Sequence, residues 1–187
     1  MRTLNVGVIL FTLALLTGGC SQTPPQPAPE TAAQPEEPAA MSSAHVELKP
    51  TEGNQAAGML ELMAMGEGVH FSGTVTGLPA GMHGFHIHET GDCSAPDASS
   101  AGGHFNPEGK PHGAPDAAEH HLGDLGNIEA DASGNATVNI HMNGITLEPG
   151  QPNSVMGKAI IVHAGTDDFT TQPTGNAGAR LACGVIQ

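Results

Sequence analysis

Two aromatic residue types are absent from this 187-residue chain: it has no Trp and no Tyr, and only 5 Phe. That excludes an aromatic platform on which bases or sugars stack. Positive charge is nearly as scarce. Five Lys and Arg stand against 19 Asp and Glu, a formal charge of −14, which excludes recognition of nucleic acid through clustered basic residues. Sustained helical periodicity is missing too, and no apolar run approaches the roughly 20 residues that a membrane-spanning helix needs. The length suits one ordinary domain with extensions, not two large domains. What is abundant is 26 Gly, 15 Pro and 11 His, with 3 Cys to be accounted for. The composition reads as an acidic, turn-rich, all-β protein with a surplus of histidine.

The first residues have the build of an export signal. Arg2 supplies a short positive segment, and Val6 to Leu16 an apolar run of roughly ten residues. The run closes in Leu16-Thr17-Gly18-Gly19-Cys20, which resembles the bacterial lipobox, where cleavage precedes a cysteine that is then lipidated. Thr17 stands where that motif more often has leucine. An ordinary signal peptide with an incidental cysteine is the other reading. Residues 1–19 are thus expected to be a lipoprotein signal peptide, and 20–43 a lipidated cysteine with a tether rich in Pro, Gln, Ala and Glu. Such a tether buries too little apolar area to offset its ordering entropy. The expectation is an exported protein held to a bacterial membrane through Cys20, facing the periplasm or the exterior. Cys93 and Cys183 remain. In an exported protein an even pair reads as a disulfide, with a free thiol or copper-binding pair as the other uses.

From about Ala44 to Gln187 the sequence alternates with period two. Val69-His70-Phe71-Ser72-Gly73-Thr74-Val75 and Val138-Asn139-Ile140-His141-Met142 put apolar side chains on one face, while Ala159-Ile160-Ile161-Val162-His163 is continuous enough to be a buried strand. Further short strands are expected at His45–Leu48, Met59–Met65, His83–His88, Asn127–Ala130 and Leu181–Ile186. Turn signals separate them at Glu52-Gly53-Asn54, Gly66-Glu67-Gly68, Leu78-Pro79-Ala80-Gly81 and Ser133-Gly134-Asn135. About eight strands of this kind predict an antiparallel sandwich or barrel. Two stretches break the rhythm, 91–126 and 167–179, and long irregular loops in a compact domain usually carry function.

His86 and His88 stand at i and i+2 of a strand, so both side chains leave the same face. The long loop adds His104, His112, His120, His121 and Asp124, and His163 ends the buried strand. Any one of these could be an incidental surface histidine. Imidazoles and a carboxylate at this density are what zinc or copper requires.

Four strings go further: Gly81-Met82-His83-Gly84-Phe85-His86-Ile87-His88-Glu89, Gly103-His104-Phe105-Asn106-Pro107, His121-Leu122-Gly123-Asp124-Leu125-Gly126-Asn127, and Gly175-Asn176-Ala177-Gly178-Ala179-Arg180-Leu181-Ala182-Cys183-Gly184-Val185-Ile186. Together and in this order they resemble the copper/zinc superoxide dismutases, over essentially the whole of 44–187. The resemblance implies an eight-stranded antiparallel Greek-key β-barrel, an immunoglobulin-like sandwich, with two long functional loops. It implies one copper ion held by His86, His88, His104 and His163, and one zinc ion held by His104, His112, His121 and Asp124, with His104 shared. It makes Asp167 a link between a copper histidine and a zinc histidine, and His83 a support beneath the copper site. Cys93 and Cys183 match the family's disulfide. The implied reaction is dismutation of superoxide to dioxygen and hydrogen peroxide, with Arg180 as anion guide and His104 as proton carrier. A surface copper or zinc carrier without turnover is the alternative.

His45, His70 and His141 have no such counterpart, and His121 is preferred to His120 because it sits in the matching string. The segment Asp168-Phe169-Thr170-Thr171-Gln172-Pro173 lacks the lysine and glutamates of a full electrostatic loop. Guidance of superoxide by distant charge is therefore expected to be weak. A homodimer is among the assemblies that the resemblance allows.

Overall fold

The computed structural model describes residues 42–187. The expected signal peptide, Cys20 and nearly all of the tether lie outside them. Eight antiparallel strands close on themselves: β1 Ser43–Pro50, β2 Ala57–Met65, β3 Gly68–Thr76, β4 Gly81–His88, β5 Asp124–Ala130, β6 Ala136–Asn143, β7 Ala159–His163 and β8 Arg180–Val185. Their order around the barrel is β1-β2-β3-β6-β5-β4-β7-β8, so the chain crosses over between β3 and β4 and between β6 and β7. This is the expected eight-stranded barrel. Among the described residues the sole helical piece is one 3-10 turn, Ser99–Ala101.

Alternation fixes which way each strand faces. On β1, Ala44, Val46 and Leu48 point into the barrel while His45, Glu47 and Lys49 point out. Leu60 and Leu62 of β2, Phe71 of β3, Phe85 and Ile87 of β4 and Ile160 of β7 fill the interior and are fully buried. At roughly 1.5–3 kcal/mol for each such side chain, this core is the main favourable term in folding. The Gly66-Glu67 hairpin holds β2 and β3 in register, with Met65 facing Gly68 and Gly66 in the left-handed region at φ +58°.

β7 is buried on both faces, which is why its sequence is continuously apolar rather than alternating. Outside the barrel, Ala98 and Ala101 of the first long loop pack on Ala159, Ile161 and Cys183. The Cys93–Cys183 disulfide, with its Cα atoms 5.8 Å apart, pins that loop to β8.

Three details differ from the sequence expectation. β1 begins at Ser43, one residue inside the proposed tether. β5 begins at Asp124 rather than Asn127, because Asp124 pairs with His86 across a shift in the β4 ladder. A third irregular connection, 144–158, joins β6 to β7. It holds a short parallel bridge, Thr146 to Ser154, and buries Ile145, Leu147 and Val155, so packing rather than strand pairing orders it.

Candidate metal centre

The outward face of β4 beyond Gly84 would be solvated in an open sheet; here the two long loops cover it. His86 and His88 leave that face and are fully buried. The first loop runs back along the end of β4: Phe105 N–H donates to Ile87 O (2.8 Å), Ile87 N–H to Gly123 O (2.9 Å), and His88 bridges His104. Those bonds bring His104 over the β4 histidines. β7 delivers His163 from the neighbouring strand.

The result is two groups of donors. His86, His88, His104 and His163 offer ligand atoms that all lie within 4.8 Å of one another, and so do His104, His112, His121 and Asp124. All seven residues are buried, and His104 belongs to both groups.

Hydrogen bonding shows which atom of each ring faces inward. His86 Nε2 meets Asp167 Oδ2 at 2.8 Å, His88 Nδ1 meets Gly102 O at 2.9 Å, and His163 Nδ1 meets Gly178 O at 3.2 Å. Their other nitrogens, with His104 Nε2, are left for the first group. In the second group three Nδ1 atoms surround Asp124 Oδ1: His104 at 2.7 Å, His112 at 3.0 Å and His121 at 3.2 Å. Asp124 Oδ2 is held from behind by the N–H groups of His121 (2.8 Å) and Gly113 (3.1 Å). Asp167 spans both groups, since its Oδ1 meets His112 Nε2 at 2.9 Å.

Among the described residues three buried side-chain nitrogens have no hydrogen-bond partner: His86 Nδ1, His104 Nε2 and His112 Nδ1. The 3.0 Å approach of His112 Nδ1 to Asp124 lacks hydrogen-bond alignment, so it does not satisfy that atom. His88 Nε2 faces only His163 Nε2, at 3.4 Å. A buried lone pair without a partner is costly, and ring nitrogens that converge in this way are satisfied together by a cation. Borderline imidazole donors around one carboxylate, with His112 anchored through its far nitrogen by Asp167, fit zinc; four imidazoles fit copper.

Burial keeps His86, His88, His121 and His163 ready as neutral ligands. Burial pushes His88 down to about 2 and His163 down to about 4. It also lowers His86 well below its ordinary value, with help from His104 and His163, and lowers His121. Burial opposes the ionised form of Asp124, but its hydrogen bond with His104 and the His121 N–H outweigh that and hold the carboxyl below its usual range.

The other expected residues also fall around the site. Arg180 opens β8, and its guanidinium donates to Ala98 O (2.6 Å) and Gly102 O (2.7 Å). Gly102 O is the same acceptor that orients His88, so one carbonyl fixes both cation and ligand. The guanidinium borders an open depression of about 510 Å³ lined also by Thr51, Asn54 and Asp97. His83 lies under β7 with Nδ1 2.8 Å from His163 O and Nε2 2.8 Å from Pro79 O. His120 stands outside both groups, with Nδ1 at 2.7 Å from His121 O. His45 is exposed on β1.

Three residues at the site carried no signal of their own in the sequence. Asn127 clamps Asp167 by its amide: Nδ2 donates to Asp167 O (3.0 Å) and Asp167 N–H donates to Oδ1 (2.8 Å). Gln172 clamps His112 in the same way, with bonds of 2.9 and 2.8 Å. Gly175, at φ +63°, passes so close to the Asp167–His112 pair that a Cβ would strike Asp167 Oδ1 and His112 Nε2. Asn127 and Gly175 lie in the matching strings but look like ordinary turn residues. Gln172 lies outside every string.

Fold and site together define a Greek-key β-barrel with two adjoining metal-donor sets that share one histidine. The family model for copper/zinc superoxide dismutase matches residues 56–186. "Superoxide dismutase [Cu-Zn] 2" of Aquifex aeolicus is 44% identical over 148 residues, 77% of this chain and 86% of that protein. "Extracellular superoxide dismutase [Cu-Zn]" of Haemonchus contortus is 46% identical over 142 residues, 72% and 76% of the two chains. Among solved structures, that of the clock protein EA4 superposes with a TM-score of 0.70 at 39% identity, covering 78% of this chain and 94% of its own. This chain belongs to the copper/zinc superoxide dismutase family.

Proposed function

We infer that this protein dismutes superoxide to dioxygen and hydrogen peroxide with one copper and one zinc ion per chain. Copper would be held by His86, His88, His104 and His163, zinc by His104, His112, His121 and Asp124. The observation that carries the reading is the set of buried, partnerless nitrogens turned toward two centres from opposite sides of one ring. When bound, copper would supply the one-electron redox chemistry that dismutation needs, and zinc would add no redox chemistry of its own.

The chain's own groups do the rest. Arg180, fixed by two carbonyls at the rim, attracts the anion and offers it hydrogen bonds. His104 Nε2 is the atom placed to hold a proton and pass it to the reduced substrate. Asp167 keeps His86 and His112 in fixed orientation through both of its oxygens.

The test is superoxide consumption by the copper- and zinc-loaded soluble domain, beside His88→Ala and Arg180→Ala. Turnover far above the His88→Ala background supports the reading. Full metal content with background turnover would leave a metal carrier instead.

The cellular setting belongs to the same proposal. Export by the signal of residues 1–19 and lipidation of Cys20 rest on the sequence, with 20–43 as the tether of the domain 44–187. Two kinds of support are the disulfide, which suits an oxidising compartment, and the printed name of the Haemonchus relative as extracellular. Membrane association that persists in Cys20→Ser would overturn it. A homodimer is the remaining part of this proposal, checked by sedimentation: a single species at the monomer mass would overturn it.

A further inference from the structure

Four histidines stand outside the two donor groups and His83, and two of these meet. His70 of β3 and His141 of β6 are direct cross-strand partners, their rings 6.3 Å apart between centroids and 26° from parallel. Within the two buried donor groups the ring pairs lie 4.1–6.3 Å apart, so this outer pair is at a spacing from which two imidazoles can converge on one ion. His141 Nε2–H donates to Asn143 Oδ1 at 3.1 Å, which leaves Nδ1 with its lone pair. That is the arrangement of an anchored metal-binding imidazole.

The same row continues onto β2, where Met63 is the direct partner of His70. Directly opposed residues have Cβ atoms about 4.5–5.5 Å apart, within reach of a long thioether. Met63 is one of three methionines on the outer face of β2, and Met59 and Met65 are 51% and 47% exposed. The exposed large hydrophobic side chains among the described residues are all methionines, while the leucines and isoleucines of the same strands are inside. Met63 itself is half-buried beside them, and its thioether is a soft donor. Glu61, two residues before Met63 on the same face of β2, faces His45 on β1, and the chain's charge of −14 draws cations to its surface.

We propose that the outer face of β2, β3 and β6 binds one Cu(I) ion through Met63, His70 and His141, separately from the buried centre. Thioether with imidazole selects Cu(I) over zinc, magnesium or calcium. The site needs no change of oxidation state.

The test uses protein whose buried centre already holds copper and zinc, titrated without oxygen with Cu(I) against a coloured Cu(I) chelator. One further equivalent should be retained. His70→Ala/His141→Ala and Met63→Leu should weaken that retention by at least about tenfold, since even outer partners of a metal ligand contribute that much. Buried metal content, thermal stability and superoxide consumption should not change, because none of the three residues touches the buried centre. No third equivalent in the wild-type protein, or retention within twofold in the double variant, overturns the proposal. Undiminished retention in Met63→Leu overturns the thioether's part in it.

Discussion

Replacing Gln172 by Ala removes the two hydrogen bonds that hold the His112 backbone, at 2.8 and 2.9 Å, and leaves every donor atom of the centre in place. Each bond contributes about 0.5–1.5 kcal/mol net, so the metal-free domain should lose roughly 1–3 kcal/mol. The larger effect is on zinc. With that clamp gone, His112 is aimed at the second donor group by the Asp167 contact and by the neighbouring Gly113 N–H on Asp124. Loss of such an orienting partner costs about 10–100-fold in metal affinity. Competition between the domain and a coloured zinc chelator reads this directly. Thr171→Ala is the control, because its hydroxyl bonds Asp168 and makes no contact with His112. Zinc affinity within twofold of wild type in Gln172→Ala would refute the reasoning, as would an equal loss in Thr171→Ala.

Acid should destabilise the metal-free domain well before its carboxylates titrate. His88 and His163 take up protons near 6.5 when unfolded but only at about 2 and about 4 when folded and buried. The unfolded chain therefore binds more protons below 6.5, so stability is full above that pH and falls toward pH 4, by roughly 3 kcal/mol per pH unit for the pair. Urea midpoints that stay level from pH 7 to 5 would contradict this. Superoxide consumption should depend weakly on salt, changing less than about twofold as the Debye length contracts from about 30 to 8 Å. Lys49 and Lys110 are paired with Glu47 and Glu108, and Lys158 donates to Glu89 O, which leaves Arg180 as the local guide. Reducing the Cys93–Cys183 bond should lower stability by up to about 4–5 kcal/mol, seen as a shifted denaturant midpoint, given the 90-residue separation it closes. Gly175→Ala should abolish normal metal uptake, measured as copper and zinc per chain, since the added carbon meets the Asp167–His112 pair.

The strands and the donor residues were legible in the sequence because each has a local signature. Period-two burial marks β1, β3 and β6, and His86 and His88 share a face by spacing alone. The residues that hold those donors were less legible because their partners are distant in sequence. Gln172 acts on His112, 60 positions away, and Asn127 on Asp167, 40 away. A short polar side chain in a loop gives no sign of which backbone it will meet. Asp124 was expected in a loop, since its strand is defined by pairing with His86 across an irregular register. His70 and His141 looked incidental for the same reason: only the β3–β6 register brings them together.

The account turns on one imidazole serving two ions from its two nitrogens. Anomalous scattering at the copper and zinc absorption edges, from crystals of the fully loaded domain, tests it most directly. The prediction is one copper peak among His86, His88, His104 and His163, and one zinc peak beside His112, His121 and Asp124, with the His104 ring between them. Both metals on one side of that ring, or a His104 ring in contact with a single ion, would contradict it.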